Sequence, residues 1–216
     1  MIFLHLQGIL FDLDGVLCST DEYHYRAWKQ LADSIGIPFD RTVNARLRGI
    51  SRMQSLDIIL AQGRHVCTPE EKQALAEQKN VCYRALLQDL SPKDLDPCVK
   101  TTLDALREKG FLLAVASSSR NARFILKRLG LGSFFDAVCD GTQILHAKPD
   151  PEVFLKAAAM LHLPPEACLV VEDAVAGAQA GHAGGFLVAC VGDAAQKGAG
   201  DYNLSDLSAL VAVCDM

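Results

Sequence analysis

The sequence lacks long runs of any single kind of residue. No run of Lys and Arg is long enough to form a nucleic-acid-binding tail, and the formal net charge is −5. No apolar stretch approaches the roughly 20 residues that a membrane-spanning helix needs. The apolar opening segment carries no basic leader and is interrupted by His5 and Gln7. We therefore expect a cytoplasmic protein that acts neither on nucleic acid nor at a membrane.

The sequence also has no cysteine pair spaced like those of zinc and redox motifs. Its eight cysteines are scattered along the chain, at positions 18, 67, 82, 98, 139, 168, 190 and 214. Because no export signal accompanies them, we expect free thiols that pack as small buried hydrophobic side chains.

Short apolar runs alternate with helix-like segments along most of the 216 residues. The runs cover residues 8–13, 111–116, 167–171 and 186–191, and helical patterns cover residues 101–109, 122–129, 151–161 and 174–183. Continuous apolar runs suit strands that are buried on both faces, as in a parallel sheet. The alternation therefore predicts an α/β fold built on a doubly wound, Rossmann-like parallel sheet.

Residues 18–88 interrupt this alternation. The segment is rich in helix formers, and Tyr23, Ala27 and Leu31 recur at helical spacing. The sequence Ser-Pro-Lys-Asp at 91–94, followed by Pro97, marks the return to the alternating pattern. We predict an α/β core domain formed by residues 1–17 and 89–216, with residues 18–88 inserted as a helical cap domain.

Polar residues follow the carboxyl ends of the apolar runs, where open α/β sheets bind ligands. Asp12 and Asp14 stand at the end of the first run, Ser117 follows the second, and Glu172-Asp173 follows the third. Each pattern alone has an ordinary structural explanation, as a polar strand end or a serine-rich turn. Their shared position predicts that side chains about 160 residues apart meet in one site.

The acids in this set are suited to a magnesium site. Asp12 and Asp173, with the backbone carbonyl of Asp14, supply the hard oxygen ligands that Mg²⁺ prefers. Adjacent acids at a buried strand end, such as Glu172 and Asp173, are costly unless they are paired or bound to metal. We therefore predict a metal site formed by Asp12, Asp14, Glu172 and Asp173.

The same set can carry phosphoryl transfer. Asp12 attacks phosphorus to form an aspartyl phosphate, while Asp14 gives a proton to the departing oxygen and takes it back. Ser117 holds the transferring oxygens. Lys148, which precedes Pro149, offsets the negative charge of the reacting groups, although a lysine in this context is otherwise a common surface residue.

The order Asp-x-Asp, Ser, Lys, Glu-Asp resembles the haloacid dehalogenase superfamily, and the resemblance covers nearly the whole chain. The helical insertion is similar to that superfamily's helical cap. Within the superfamily, residues 22–29, 47–52, 55–56, 79–80 and 117–121 are similar to segments of the β-phosphoglucomutases.

This second resemblance implies the residues that bind substrate. His24 lies near the hinge and couples closure to Asp14, and Gly49, Ile50 and Lys79 face the sugar. The phosphate that is not being transferred binds Arg52, Ser119, Arg120 and Asn121. The full set implied is Asp14, Gly15, His24, Trp28, Gly49, Ile50, Arg52, Ser55, Lys79, Ser118, Ser119, Arg120 and Asn121.

The chain departs from the family pattern at a few of these positions. Arg48 and Arg120 stand where lysine is expected, and both changes keep the charge but replace a point charge with a forked guanidinium. Ala174 and Val175 follow Glu172-Asp173 where polar residues are expected. The changes at Ala174 and Val175 leave undetermined which groups surround the metal site. None of the departures removes a catalytic group.

The resemblance implies a monomeric enzyme that interconverts β-glucose 1-phosphate and glucose 6-phosphate through a bound 1,6-bisphosphate. Its implied ligands are these sugar phosphates and Mg²⁺. Two alternatives remain. A sugar-phosphate phosphatase shares the core chemistry but lets water attack the aspartyl phosphate. A non-catalytic binding protein is expected to have lost Asp12, Asp14 or Asp173, all of which are present.

Overall fold

The structure is a computed structural model and describes residues 6–47, 50–63 and 66–215. The chain divides into two compact units, one formed by residues 1–19 with 90–216 and the other by residues 20–89. The first is called the core unit and the second the helical unit. The predicted insertion at residues 18–88 has similar bounds, and its function as a cap stays a prediction.

The core unit is built on a six-stranded parallel sheet in the order β3-β2-β1-β4-β5-β6. The strands are β1 (Gly8–Phe11), β2 (Leu112–Ala116), β3 (Ala137–Cys139), β4 (Cys168–Glu172), β5 (Leu187–Cys190) and β6 (Tyr202–Asn203). Its parallel strands and flanking helices confirm the predicted α/β class. The predicted runs correspond to β1, β2, β4 and β5, whereas β3 and β6 were not predicted.

Ten helices are assigned within the described residues. They are α1 (Asp21–Ser34), α2 (Arg41–Ala45), α3 (Arg52–Gly63), α4 (Pro69–Leu86), α5 (Pro97–Glu108), α6 (Ala122–Arg128), α7 (Glu152–Met160), α8 (Val175–Ala183), α9 (Gly192–Gln196) and α10 (Leu210–Val213). Short 3₁₀ turns lie at Leu87–Asp89, Pro92–Asp94, Pro165–Ala167 and Leu207–Ala209. None of the helices seen in the described ranges is long and apolar enough to cross a bilayer.

The central strand β1 explains where the chemistry is located. It pairs with β2 on one side and with β4 on the other, so that Phe11 lies opposite both Val115 and Val171. The chain winds from β1 to β2 and β3, and only then crosses to β4 on the other side. The carboxyl ends of β1, β2 and β4 are therefore adjacent at the topological switch point, where such sheets bind ligands.

Local sequence explains why several helices begin where they do. In the core unit, α5 begins at Pro97, earlier than the predicted residue 101, because the Asp96 side chain accepts a hydrogen bond from the N–H of Cys98. In the helical unit, Thr68 and Glu71 form a capping box at the start of α4.

The helical unit has a hydrophobic core of its own. Trp28 and Leu31 of α1 pack in one buried cluster with Leu56 and Ile59 of α3 and Ala76 of α4. The amphipathic pattern that predicted helices in this segment therefore reflects burial inside the unit.

All eight cysteines are free thiols, as predicted. Cys139, Cys168 and Cys190 are buried in strands, and burial raises the pKa of each thiol to about 11. The other five are partly exposed, so the expectation of buried thiols is wrong for them. A partly exposed cysteine requires only that its sulfur lie beside, not within, the apolar core.

Candidate active site

Three acids meet at the carboxyl ends of β1 and β4. Asp12 directly follows β1, Glu172 ends β4 and Asp173 comes next, and their backbones are joined by a hydrogen bond from the N–H of Asp12 to the carbonyl of Val171 at 2.9 Å. Each acid offers one oxygen, and these oxygens all lie within 4.8 Å of one another. The parallel pairing of the two strands thus assembles carboxylates from opposite ends of the sequence.

Lys148 reaches this cluster from the segment between β3 and α7. Its ammonium group donates hydrogen bonds to Asp12 Oδ1, to Glu172 Oε1 at 2.5 Å and to the carbonyl of Ala116 at 3.3 Å. The side chain is only 4% exposed, and its Nζ lies 4.7 Å from the centre of the Phe154 ring. Lys148 is therefore a fixed, buried cation rather than a surface residue.

The carboxylates of the site lie where ionisation is costly. Burial, together with the charge of Glu172, raises the pKa of Asp12 to about 8 and that of Asp173 to about 7, although Lys148 acts in the opposite direction on both. Burial alone lowers the pKa of Lys148, but Asp12 and Glu172 outweigh that effect and raise it. One lysine does not balance three carboxylates, so a divalent cation fits the charge and the oxygen donors of the cluster.

Glu172 has a second task within the cluster. Its Oε1 accepts from Lys148, and its Oε2 accepts from the backbone N–H groups of Asp173 at 2.9 Å and Ala174 at 3.0 Å. These bonds hold the carboxylate in place, and the carboxylate in turn holds Lys148. The backbone of Ala174 thus supplies a hydrogen bond at a position where a polar side chain was expected. A metal-ligand role for Glu172 stays a prediction.

Two glycines allow the acids to pack closely. Gly15 lies in a tight turn at φ +94°, where a Cβ would lie 2.1 Å from Asp173 Oδ2. Gly177, in α8, faces the other acid, since a Cβ there would lie 1.9 Å from Glu172 Oε1. The steric need for Gly15 is separate from its predicted contact with substrate. Gly177 was not predicted, although a glycine inside a helical pattern is a signal of close packing.

Asp14 lies in the turn that follows β1. Its backbone forms a bridge with Cys18, and the N–H of Gly15 donates to the carbonyl of Cys18 at 2.7 Å. The Asp14 carboxylate is only partly buried, unlike that of Asp12. This position suits a group that exchanges protons with a ligand, which is the role predicted for it.

The Ser117–Asn121 loop follows β2 at the same edge of the sheet. Ser117 is buried, and its Oγ accepts a hydrogen bond from the N–H of Ser119 at 3.1 Å. Ser119 Oγ accepts in turn from the N–H of Asn121 at 3.2 Å, while the Arg120 side chain is exposed. Within the described ranges, the buried Ser118 hydroxyl has no hydrogen-bond partner. The loop is ordered by its own serines immediately before α6.

The helical unit brings together a second group of predicted residues. Lys79 Nζ donates to His24 Nδ1 at 2.9 Å and lies over the rings of Trp28 at 4.7 Å and Tyr83 at 4.3 Å. Burial lowers the pKa of His24 well below its usual value, and the charges of Lys79 and Arg52 lower it further. His24 is therefore neutral near pH 7, and because Nδ1 accepts, its proton is on Nε2.

The remaining predicted residues of the helical unit lie near the start of α3. Arg52 begins this helix and donates to Asn80 Oδ1 at 2.9 Å, with Glu77 Oε2 3.6 Å from its Nη1. Ser55 is buried, and Ile50 packs against the hydrophobic cluster of the unit. Arg48 and Gly49 lie outside the described residues.

Comparison with known proteins assigns the family. The family model described as haloacid dehalogenase-like hydrolase matches residues 6–185. The β-phosphoglucomutase of Bacillus subtilis is 45% identical over 189 residues, which are 87% of this chain and 84% of that protein. A phosphorylated carbohydrates phosphatase of Thermotoga maritima is 30% identical over 184 residues, 84% of this chain and 82% of that protein.

A solved structure extends the similarity to three dimensions. The crystal structure of β-phosphoglucomutase from Clostridium difficile superposes with a TM-score of 0.89 at 34% identity, covering 95% of this chain and 93% of that one. The chain therefore belongs to the haloacid dehalogenase-like family, as its motifs predicted, and it is similar to the β-phosphoglucomutases within that family.

Proposed function

We propose that this protein is a β-phosphoglucomutase that interconverts β-D-glucose 1-phosphate and D-glucose 6-phosphate. The observation that carries the proposal is the 45% identity to the B. subtilis β-phosphoglucomutase over 87% of the chain. The buried arrangement of Asp12, Lys148 and Glu172 supports the chemistry independently, because it presents a carboxylate beside a fixed cation.

Asp12 is the proposed nucleophile. The cycle begins with Asp12 phosphorylated. The free C6 hydroxyl of β-glucose 1-phosphate attacks this phosphorus, the bond from phosphorus to the Asp12 oxygen breaks, Asp14 takes the hydroxyl proton, and a bound 1,6-bisphosphate forms. The bisphosphate turns around, and Asp12 attacks the phosphorus of the C1 phosphate. The bond from that phosphorus to the C1 oxygen breaks, and Asp14 gives its proton to the departing oxygen. Glucose 6-phosphate leaves, and Asp12 again carries a phosphoryl group.

Charge is the main obstacle to this attack, because a carboxylate approaches an anionic phosphoryl group. Lys148, held by Glu172, supplies one positive charge beside Asp12. Asp12, Asp173 and the Asp14 carbonyl are the proposed ligands of Mg²⁺, with Glu172 alongside them, and the ion supplies further charge neutralisation when bound.

The second phosphate of the bisphosphate needs a separate site. The residues proposed to bind it are Arg52, Ser119, Arg120 and Asn121. Gly49, Ile50 and Lys79 are the proposed contacts of the sugar. Trp28 and Ser55 are further proposed substrate-binding residues. A mutase requires this second site, whereas a simple phosphatase does not.

A sugar-phosphate phosphatase is the second candidate function. The 30% identical phosphatase of T. maritima favours it, because phosphatases of this family are thus also similar to the chain. In that case, water rather than a sugar hydroxyl attacks the aspartyl phosphate, and inorganic phosphate is released.

The test is a product assay with the purified protein. It is supplied with β-glucose 1-phosphate, Mg²⁺ and a catalytic amount of glucose 1,6-bisphosphate, while glucose 6-phosphate and inorganic phosphate are followed in parallel. The α-anomer of glucose 1-phosphate serves as the control substrate. We expect glucose 6-phosphate in large excess over phosphate, from the β-anomer only. Phosphate release without glucose 6-phosphate would identify a phosphatase.

A further inference from the structure

A turn that follows β3 packs against the Ser117–Asn121 loop. The turn spans residues 140–143, and the side chain of Asp140 is 3% exposed. Asp140 Oδ1 accepts from the N–H of Thr142 at 2.9 Å and from its hydroxyl at 2.5 Å, while the N–H of Asp140 donates to Gln143 Oε1 at 3.0 Å. The buried acid therefore fixes the shape of the turn from within.

Gly141 is the residue of the turn that contacts the loop. Its N–H donates to the carbonyl of Ser119 at 3.2 Å. A Cβ at Gly141 would lie 2.2 Å from the carbonyl oxygen of Ser118 and 3.0 Å from the nitrogen of Arg120. Backbone atoms cannot rotate aside as a flexible side chain can, so a larger residue must displace the loop.

Arg123 connects the turn to the other end of the same loop. This residue lies in the first turn of α6, which begins immediately after Asn121. Its Nη2 donates to the carbonyl of Val138 at 2.7 Å, and its Nε lies 3.4 Å from Asp140 Oδ2. The loop is thus held at its middle by Gly141 and at its end by the pair of Arg123 and Asp140.

We propose that Asp140 and Gly141 are positioning residues for the second phosphate site. They hold the loop so that Ser119, Arg120 and Asn121 converge on a phosphate group. This inference rests on the proposed function, since it assumes that the loop binds the phosphate that is not being transferred. Neither residue takes part in the chemistry at Asp12.

The variant Gly141→Ala tests the close approach directly. The φ of Gly141 lies outside the left-handed region, so alanine adds a Cβ without backbone strain. We expect the KM for β-glucose 1-phosphate to rise about tenfold or more, as expected for the loss of a charge-assisted hydrogen bond. Phosphorylation of Asp12 by acetyl phosphate, a donor without a second phosphate, is expected to be unchanged. A merely structural defect would also slow the phosphorylation of Asp12 by acetyl phosphate.

Two sets of control variants accompany this measurement. Gly132→Ala adds the same methyl group to an exposed glycine of the core unit, where the nearest atom is Lys127 Cα at 3.4 Å. This variant should leave both the KM and the rate of phosphorylation by acetyl phosphate unchanged. Asp140→Ala removes the acceptor for Thr142, and Asp140→Asn restores it. We expect the KM to rise in the first and to return most of the way in the second.

Binding of β-glucose 1,6-bisphosphate in an Asp12→Asn background separates this proposal from the mutase assignment. One possible result is that Gly141→Ala weakens bisphosphate binding while the wild-type protein forms no glucose 6-phosphate. This result would contradict the mutase assignment but support the positioning role. Unchanged binding and KM in Gly141→Ala would overturn the positioning role. If that variant does not fold, equal KM values for Asp140→Ala and wild type would overturn it. If the Asp12→Asn protein with native Gly141 does not bind the bisphosphate, both the mutase assignment and the positioning role are overturned.

Discussion

The burial of Asp12 and Asp173 predicts how stability depends on pH when no metal is bound. Burial raises the pKa of Asp12 from 3.8 to about 8 and that of Asp173 from 3.8 to about 7. The folded protein therefore holds protons that the unfolded chain has already lost. The stability that these protons provide is present at low pH and is lost as the pH rises through the folded pKa values.

The magnitude follows from proton linkage. One such group lowers the free energy of unfolding by up to about 1.4 kcal/mol per pH unit between its two pKa values. The charge of Asp173 raises the pKa of Asp12, so the two groups do not release their protons independently, and we expect a slope of about 1–2 kcal/mol per pH unit between about pH 5 and pH 8. The contribution of His24 has the opposite sign, because its pKa is lowered in the folded protein. Its contribution to the free energy of unfolding increases as the pH rises through the unfolded pKa of about 6.5.

The assay is urea denaturation in EDTA across this pH range, repeated with Mg²⁺. Asp173→Asn isolates the acidic cluster, since His24 and all other groups remain, and Asp104→Asn is the matched control, because the Asp104 side chain on α5 is 46% exposed. We expect a flatter profile for Asp173→Asn only. Because metal competes with protons, Mg²⁺ should add more stability at pH 8 than at pH 6. The reasoning is refuted if wild type and Asp173→Asn show the same slope, or if Mg²⁺ stabilises them equally.

Three further substitutions test individual side chains. Arg52→Ala should slow the mutase reaction by about 1.5–3 kcal/mol of activation free energy but spare hydrolysis of phosphorylated Asp12, with the exposed Arg26→Ala as control; equal effects on both rates would contradict a role at the second phosphate. His24→Ala should raise the ratio of phosphate release to glucose 6-phosphate formation. It should also cost about 1–3 kcal/mol of stability in a thermal melt, because Lys79 loses one hydrogen-bond acceptor. An unchanged ratio would contradict the predicted coupling of His24 to closure. Gly177→Ala should displace the Glu172 carboxylate and lower kcat, and a wild-type kcat would show that this contact does not position Lys148.

The strands that could be predicted from the sequence are those that are buried on both faces. β1, β2, β4 and β5 lie in the interior of the sheet, and such strands read as continuous apolar runs. β3 and β6 are the two edge strands and are only three and two residues long. A segment that short has no period to detect, and its pairing depends on a neighbouring strand that is already in place.

The site divides along a similar line. Asp12, Asp14, Lys148, Glu172 and Asp173 follow motifs whose order could be read from the sequence, and four of them meet through their side chains in the structure. The supporting contacts could not be read in this way. The double use of the Glu172 oxygens, and the closeness of glycines to an acid or to a loop carbonyl, depend on how distant segments pack.

The fate of a phosphoryl group on Asp12 tests the central proposal most directly. The protein is phosphorylated with acetyl phosphate and Mg²⁺, the adduct is located by mass spectrometry, and the phosphorylated protein is mixed with β-glucose 1-phosphate or with buffer alone. We expect the adduct on Asp12, its absence in Asp12→Asn, and rapid transfer to the sugar as the 1,6-bisphosphate with slow loss to water. Transfer to water at the same rate with and without sugar would contradict the account.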